Sequence, residues 1–510
     1  MEVTTATVMG LVTVMVLVLI NYIFSNLAWY RLPNPGICLP ILGHIHKFFT
    51  KGMLDDPING LLVMFRKHQR NGVMWTRSFN LDILWVGDFE TLRYVFNHPQ
   101  IQDRNGKFHA TVEMERNLKT GQDIPGVLIS EGRTWLEQRR FALRTLRDFG
   151  FGKSSMEEMI KEEVQLFTEE IRKSKGEPFD FINKFNLPIL NALWNVTVGQ
   201  RFDYDDPKLM SIIERLTNWF KRVANPSAIL VLVYPWFFKL FPKFLEYNET
   251  LDTSHEILDM IKQTVKEHEE TIDLNEPRDF TDKALAEIMS TTDPSSSFFG
   301  EKGRENLANT LYDLFLAGSE TTSTTLTWGL LFMARYPNVQ KRVQDELDAV
   351  VGHGLAPSLQ DKAKLPYTEA VLMEIQRYAN IVPNGVNHSS SKDMVVNGMT
   401  IPAGTLFMPL MVELLKGSYW GDGEVFRPER FLDPSTGSCK KDDHLIPFSI
   451  GKRQCLGETL AKTELFLFFT GLVASFDIQP EIKGQPPSED YNNGITILPK
   501  PFQLRLHSRT

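Results

Sequence analysis

The sequence predicts a mainly α-helical body with a small β-sheet portion, preceded by an N-terminal transmembrane helix. Three observations carry that prediction. Apolar residues recur three and four apart over residues 134–146, 156–175, 306–336, 339–350, 367–377 and 458–476, the spacing of helices with one buried face. Strand signals are few: 83–86, a hairpin over 395–401 turned by Asn397-Gly398, and the tail 495–506. Residues 6–24 are nineteen positions without a charge, rich in Val, Leu, Met and Ile, which is enough to cross a bilayer as a helix.

Taken in order, the apolar start has a competing reading as a cleaved signal peptide. Glu2 without any Lys or Arg before the segment argues against it, as does the lack of a small-residue cleavage site. Basic residues follow the span, at Arg31, Lys47 and Lys51, which places the body on the cytosolic side. Pro33, Pro35 and Pro40 then forbid continuation of the helix and predict a stiff extended hinge. The expected division is an anchor over 1–28, a hinge over 29–43 and a single body over 44–510. Within that body, the apolar segment 228–241 is broken by Pro235 and too short to span. It reads either as a buried core helix or as a segment dipping into the membrane interface.

Composition narrows the function. A net charge of −8 gives no basic footprint for nucleic acid. The three cysteines, Cys38, Cys439 and Cys455, form no C-x-x-C pair, so neither a zinc cluster nor a disulfide framework is indicated. The 35 Phe suit an apolar pocket, though most serve as ordinary core. Sequons begin at Asn195, Asn248 and Asn387, and on a cytosolic body they would stay unmodified.

The sharpest chemical signal is Phe448-Ser449-Ile450-Gly451-Lys452-Arg453-Gln454-Cys455-Leu456-Gly457, just before a predicted helix. A cysteine thiolate ligates haem iron and pushes electron density toward a bound O–O bond. It needs shielding and backbone N–H donors, and glycines allow a tight turn around it. Upstream, Ala317-Gly318-Ser319-Glu320-Thr321-Thr322 lies inside the longest predicted helix. Small residues there would leave room beside a flat cofactor, and an acid next to a hydroxyl suits proton delivery.

These motifs resemble the cytochrome P-450 superfamily, whose cysteine loop reads F-x-x-G-x-R-x-C-x-G. The likeness extends over essentially the whole chain. It is strongest to the microsomal family-2 branch, through Trp135-Leu136-Glu137-Gln138-Arg139-Arg140-Phe141 and Asp148-Phe149-Gly150-Phe151-Gly152-Lys153. The helix start Gly457-Glu458-Thr459-Leu460-Ala461-Lys462-Thr463-Glu464 is similar to arthropod members, including methyl farnesoate epoxidases. The resemblance implies a single large cytochrome P-450 fold and haem b with Cys455 as axial iron ligand. It further implies Phe448, Gly451 and Arg453 around that ligand, and Ala317 on the distal side. Trp135, Arg139 and His388 would bind the haem propionates, although Asn387 stands where relatives commonly have Pro. Glu320 and Thr321 would be catalytic, while Glu374, Arg377 and Arg430 would be structural.

The expected activity is insertion of one atom of O2 into a small hydrophobic substrate: a fatty acid, steroid, terpenoid or foreign compound. Electrons would come from NADPH through cytochrome P-450 reductase, with cytochrome b5 a second candidate donor. Arg140, Arg144 and Arg147 form a basic stripe suited to that partner, and equally to a solvated face. The resemblance places the chain in the endoplasmic reticulum membrane, in contact with lipid. Two other readings stay open at this point. One is a haem-thiolate isomerase or dehydratase that needs no reductase, and the other is a non-catalytic haem sensor.

Overall fold

The computed structural model describes residues 9, 13, 16, 17, 20 and 29, and then 31–79, 81–104, 123–149, 154–204, 206–223 and 247–509. The expected anchor over 6–24 lies, but for five positions, outside the described residues, and the apolar segment 228–241 lies wholly outside them. Among the described residues no helix is long and apolar enough to cross a membrane.

The chain divides into two compact units, Met1–Asn105 with Asn384–Leu414, and Gly106–Pro383 with Leu415–Thr510. The smaller is built on a four-stranded sheet in the order Val73–Ser78, Leu81–Val86, Leu406–Pro409, His388–Ser389. The first pair is antiparallel with Val73 opposite Val86, the second parallel with Ile83 opposite Leu406, and the third antiparallel with His388 opposite Phe407. All four residues of Leu406–Pro409 are buried, so this strand reads as an unbroken apolar run and shows no alternation. Asp56 and Asp88 cap the flanking helices Pro57–His68 and Phe89–Asn97 by accepting from the Asn59 and Thr91 N–H groups. The predicted hairpin is present as Met394–Val396 and Met399–Ile401, with φ of 47° at Asn397 and 76° at Gly398, the turn that Asn-Gly favours.

Part of the proline-rich segment is tied to this sheet. The Trp75 N–H donates to the Pro33 carbonyl at 2.6 Å, and buried His44 accepts from the Arg77 N–H at 2.9 Å. Burial pushes the His44 imidazole down to about 4 against the opposing Gly36 carbonyl contact, so it is neutral at physiological pH.

The larger unit is organised around one helix, Gly300–Arg335, most of whose side chains are buried. Packed against it are Asn186–Val198, Tyr247–Thr271, Phe280–Ser290, Pro366–Ala379 and Glu458–Ser475. The predicted helices appear within a few residues of their expected ends, as Gly132–Asp148, Ser154–Arg172, Gly300–Arg335, Pro337–Val350, Pro366–Ala379 and Glu458–Ser475. Among the described residues, six helices of eight or more residues escaped the periodicity reading: Pro57–His68, Phe89–Asn97, Asn186–Val198, Pro207–Val223, Tyr247–Thr271 and Phe280–Ser290. Asn186–Val198 shows why: all but one of its residues are buried, so it has no polar face to set a period. A small sheet in this unit pairs Gln503–Ser508 with Phe476–Pro480 and with Phe179–Asp180.

Candidate haem-thiolate site

The cysteine loop folds back on itself. The Ser449 N–H donates to the Ile446 carbonyl at 2.9 Å, and the Cys455 N–H to the Phe448 carbonyl at 3.0 Å. Gly451 sits at φ 82°, a left-handed conformation that excludes ordinary side chains. Gly457 serves differently from the turn expected of it. Its φ is −87°, open to any residue, and its N–H group is aimed at the Cys455 sulfur. Burial pushes the Cys455 thiol up, while the Gly457 N–H and the Arg139 charge pull the other way. Yet the side chain has accessible surface.

Around it, the helix Gly132–Asp148 presents two of the predicted residues. Arg139 donates to the Gln454 carbonyl, gripping the loop one residue before the cysteine. Trp135 is buried, and its indole Nε1–H has no hydrogen-bond partner among the described residues. The Arg453 guanidinium lies 4.0 Å from the Trp135 ring centroid and donates to the Leu128 and Ser130 carbonyls at 3.3 and 2.7 Å. Phe448 is half-buried, with the Lys462 ammonium 5.3 Å from its ring.

From the other side comes the long helix. Ala317 is exposed, and Leu314, Leu316, Gly318 and Thr321 are partly so, in the middle of an otherwise buried helix. The Thr321 hydroxyl donates to the Ala317 carbonyl at 2.8 Å. Glu320 turns away from it. Its carboxylate is buried and accepts from Asn186 Nδ2 at 2.9 Å and Thr217 Oγ1 at 3.1 Å, with Asn186 Oδ1 in turn accepting from the Ser323 hydroxyl at 2.7 Å. Burial raises the Glu320 carboxyl; Asn186, Thr217 and the Lys221 charge oppose this without cancelling it. Gly318 was expected to make room beside the cofactor, but an added Cβ there would lie 2.5 Å from Leu193 Cδ2. Its smallness serves the crossing of two helices.

Glu374, Arg377 and Arg430 meet in one cluster. Arg377 and Glu374 are fully buried and paired through two bonds of 2.7 and 2.8 Å. Arg377 also donates to the Leu415, Gly423 and Val425 carbonyls. Arg430 reaches Glu374 at 3.0 Å and Asp422 at 2.8 Å. Every donor that Arg377 offers is engaged inside the protein.

His388 belongs to the smaller unit, where its Nδ1 meets the Ile101 carbonyl at 3.1 Å and its ring stacks on Phe96 at 3.7 Å. Asn387 beside it is buried, bonded to Arg104 through both its amide nitrogen and its carbonyl.

Sequence reasoning missed Asp313. About one turn before Ala317, its Oδ2 accepts from the Val127 and Leu128 N–H groups at 2.8 and 2.9 Å. It thereby fixes the segment whose carbonyls seat Arg453. The acidic residue in an apolar helix was the available signal.

The donor set suits a flat dianionic group ligated by sulfur. An accessible thiol carries an N–H donor, a buried indole N–H lacks a partner, two arginines flank the cysteine, and an alanine lies open in mid-helix.

The comparisons agree with this geometry. Residues 33–506 match the family model described as Cytochrome P450. Cytochrome P450 2B4 of Oryctolagus cuniculus is 39% identical over 94% of both chains. Cytochrome P450 2J2 of Homo sapiens is 36% identical over 88% of both, and cytochrome P450 2C20 of Macaca fascicularis is 38% identical over 93% of this chain and 94% of that one. The chain belongs to the cytochrome P450 family, with relatives in its family-2 branch. Haem is the cofactor that membership implies.

Proposed function

We propose that this protein is a membrane-anchored monooxygenase that oxidises small hydrophobic molecules with electrons from NADPH. The observation that carries the reading is the Cys455 sulfur, enclosed by protein, accessible, and faced by the Gly457 N–H. Iron protoporphyrin IX bound there supplies the chemistry of dioxygen, placing one oxygen atom in the substrate while two electrons and two protons convert the other to water.

The chain's own residues do the rest. Cys455 offers its thiolate, and the Gly457 N–H and Arg139 stabilise that charge. Trp135 Nε1, Arg139 and Arg453 supply donors for the two propionates, with His388 a fourth candidate. Thr321 carries the proton-passing hydroxyl. Glu320, raised by burial, is the acid that refills it, reaching Thr321 after release from Asn186 or Thr217. A small residue at Ala317 leaves space beside that hydroxyl.

No nucleotide-binding motif stands in the chain, so electrons come from a partner. The helix Gly132–Asp148 exposes Arg140, Arg144 and Arg147 together with Leu136 and Leu143, a mixed basic and apolar face suited to an acidic reductase. For the membrane, residues 6–24 are the proposed single span, with the body over 44–510 on the cytosolic side of the endoplasmic reticulum. Exposed Ile37, Ile41, Phe49 and Val63 in the smaller unit would rest against lipid.

The decisive test is the absorption spectrum of the reduced, carbon monoxide-bound protein beside Cys455→Ala. A red-shifted thiolate-type Soret band lost in the variant supports the assignment. A histidine-type band in the wild type would remove it. Product formation that requires NADPH and reductase then separates a monooxygenase from a haem-thiolate isomerase.

A further inference from the structure

A cleft in the smaller unit gathers positive charge that no acid answers. Its walls come from the short helices Ile45–Phe48 and Lys51–Asp55 and from Pro57–His68, and its volume is about 460 Å³. On Pro57–His68 the lining residues Gly60, Val63, Met64, Lys67 and His68 recur three and four apart, so they share one face. The helices approach closely at Gly60, where an added Cβ would lie 2.9 Å from the Met53 Cα. Met53, Val63 and Met64 give the cleft apolar lining, while Lys47, Lys67 and His68 give it charge.

Among the described residues Lys47, Lys51 and Lys67 enter no ion pair. Asp56 is engaged by Asn59 and Glu413 by Arg66, and exposed Asp55 is not part of the lining. A helix C-terminus favours Lys67 and His68 where they stand, but Lys47 comes from a different helix. Burial, Lys67 and Lys47 all push the His68 imidazole down, so both lysines bear on this ring. The chain as a whole carries a net charge of −8, which makes this unanswered positive charge a local property.

Apolar side chains interleave in sequence with the lining residues. Ile37, Ile41, Leu42, Phe49 and Leu54 are 42–74% exposed. A water-soluble phosphate would leave them in water, whereas a phospholipid brings acyl chains that cover them. Pro35 lines the cleft eleven positions after Phe24, the end of the proposed span. Extended chain of that length reaches no further than about 40 Å.

We infer that this cleft binds the headgroup of an anionic phospholipid, held by Lys47 and Lys67 with its acyl chains against the exposed apolar residues. The inference rests on the membrane-anchored reading and names the lipid class that this reading leaves open.

The test uses the full-length protein in phosphatidylcholine vesicles that carry a small fraction of spin-labelled lipid. Retention in vesicles of phosphatidylcholine alone reports the anchor; its failure would remove the membrane reading, and the lipid site with it. With the protein retained, spin-labelled phosphatidylserine should be immobilised about tenfold more strongly than spin-labelled phosphatidylcholine. Lys47→Gln with Lys67→Gln should remove most of that preference. Lys51→Gln, the same charge change outside the lining, should keep it. Equal immobilisation of the two lipids by the wild type would overturn the inference and leave the anchor standing. So would a loss in Lys51→Gln as large as that in Lys67→Gln, the mark of a diffuse basic face. Displacement of the labelled lipid by inorganic phosphate, at ionic strength matched with chloride, would make this a free-anion site and overturn it equally.

Discussion

Glu374 and Glu320 are both buried on helices of the larger unit, and their surroundings are opposite in kind. Glu374 meets two arginine guanidinium groups and the Arg427 N–H, a set in which full charges answer a full charge. Glu320 meets an amide and a hydroxyl, neutral donors only, and its carboxyl rises accordingly. The first arrangement holds a fold together and has no spare capacity. The second suits the proton-holding role proposed for Glu320. Burial alone does not distinguish a structural acid from a chemical one; the charge of its partners does.

Substitutions at four positions break or sharpen that contrast. The largest effect is expected from Arg377→Ala, which leaves buried Glu374 with Arg430 as its one guanidinium partner and should cost about 3–5 kcal/mol. Urea unfolding measures it, and haem content of the purified protein should fall in parallel. Replacement by Lys should recover only part, because one ammonium cannot match the two bonds to Glu374 and the three carbonyl contacts.

On the chemical side, Thr321→Ala should leave stability nearly unchanged while lowering product per electron on the order of a hundredfold. Peroxide release measured against product tests it, and coupling equal to wild type would sink the relay role.

Smaller still is Trp135→Phe. Removing the unpartnered indole N–H should weaken haem retention by about 1–2 kcal/mol, read as faster haem transfer to an acceptor protein. Equal transfer rates would show that this N–H does not reach the cofactor.

The gentlest prediction concerns pH, at a third buried acid. His268 bonds Asp279 at 2.9 Å and the Thr264 carbonyl at 2.8 Å, beside Asp282 with its Arg278 partner. Burial opposes its charge, but the Asp279 and Thr264 bonds outweigh burial and raise the imidazole above its ordinary 6.5. The stabilisation is therefore complete below that ordinary value and fades as pH rises through the raised one. Stability of wild type minus His268→Asn should decline over that window, and a flat difference would contradict the assignment.

The cysteine loop was readable from sequence because its chemistry is contiguous: the ligand, its N–H donor and Arg453 stand within five residues. The partners of Glu320 were not readable, since Asn186 and Thr217 lie 134 and 103 positions away. Asp313 escaped for the same reason, holding backbone groups 186 and 185 positions off. Amphipathic helices such as Ser154–Arg172 announced themselves through alternation of faces, whereas Asn186–Val198, buried almost throughout, offered no such contrast. Glu374 and Arg377 stand three apart on one helix, but the carbonyls of Leu415, Gly423 and Val425 that complete the Arg377 site are ones no local pattern predicts.

Gly318 has a consequence for how such a protein can diverge. A methyl group added at its Cα would meet the tip of the Leu193 side chain, 2.5 Å away, and no backbone atom. The two positions are therefore coupled: alanine at 318 asks Leu193 to change rotamer or shorten, and a smaller residue at 193 removes that demand.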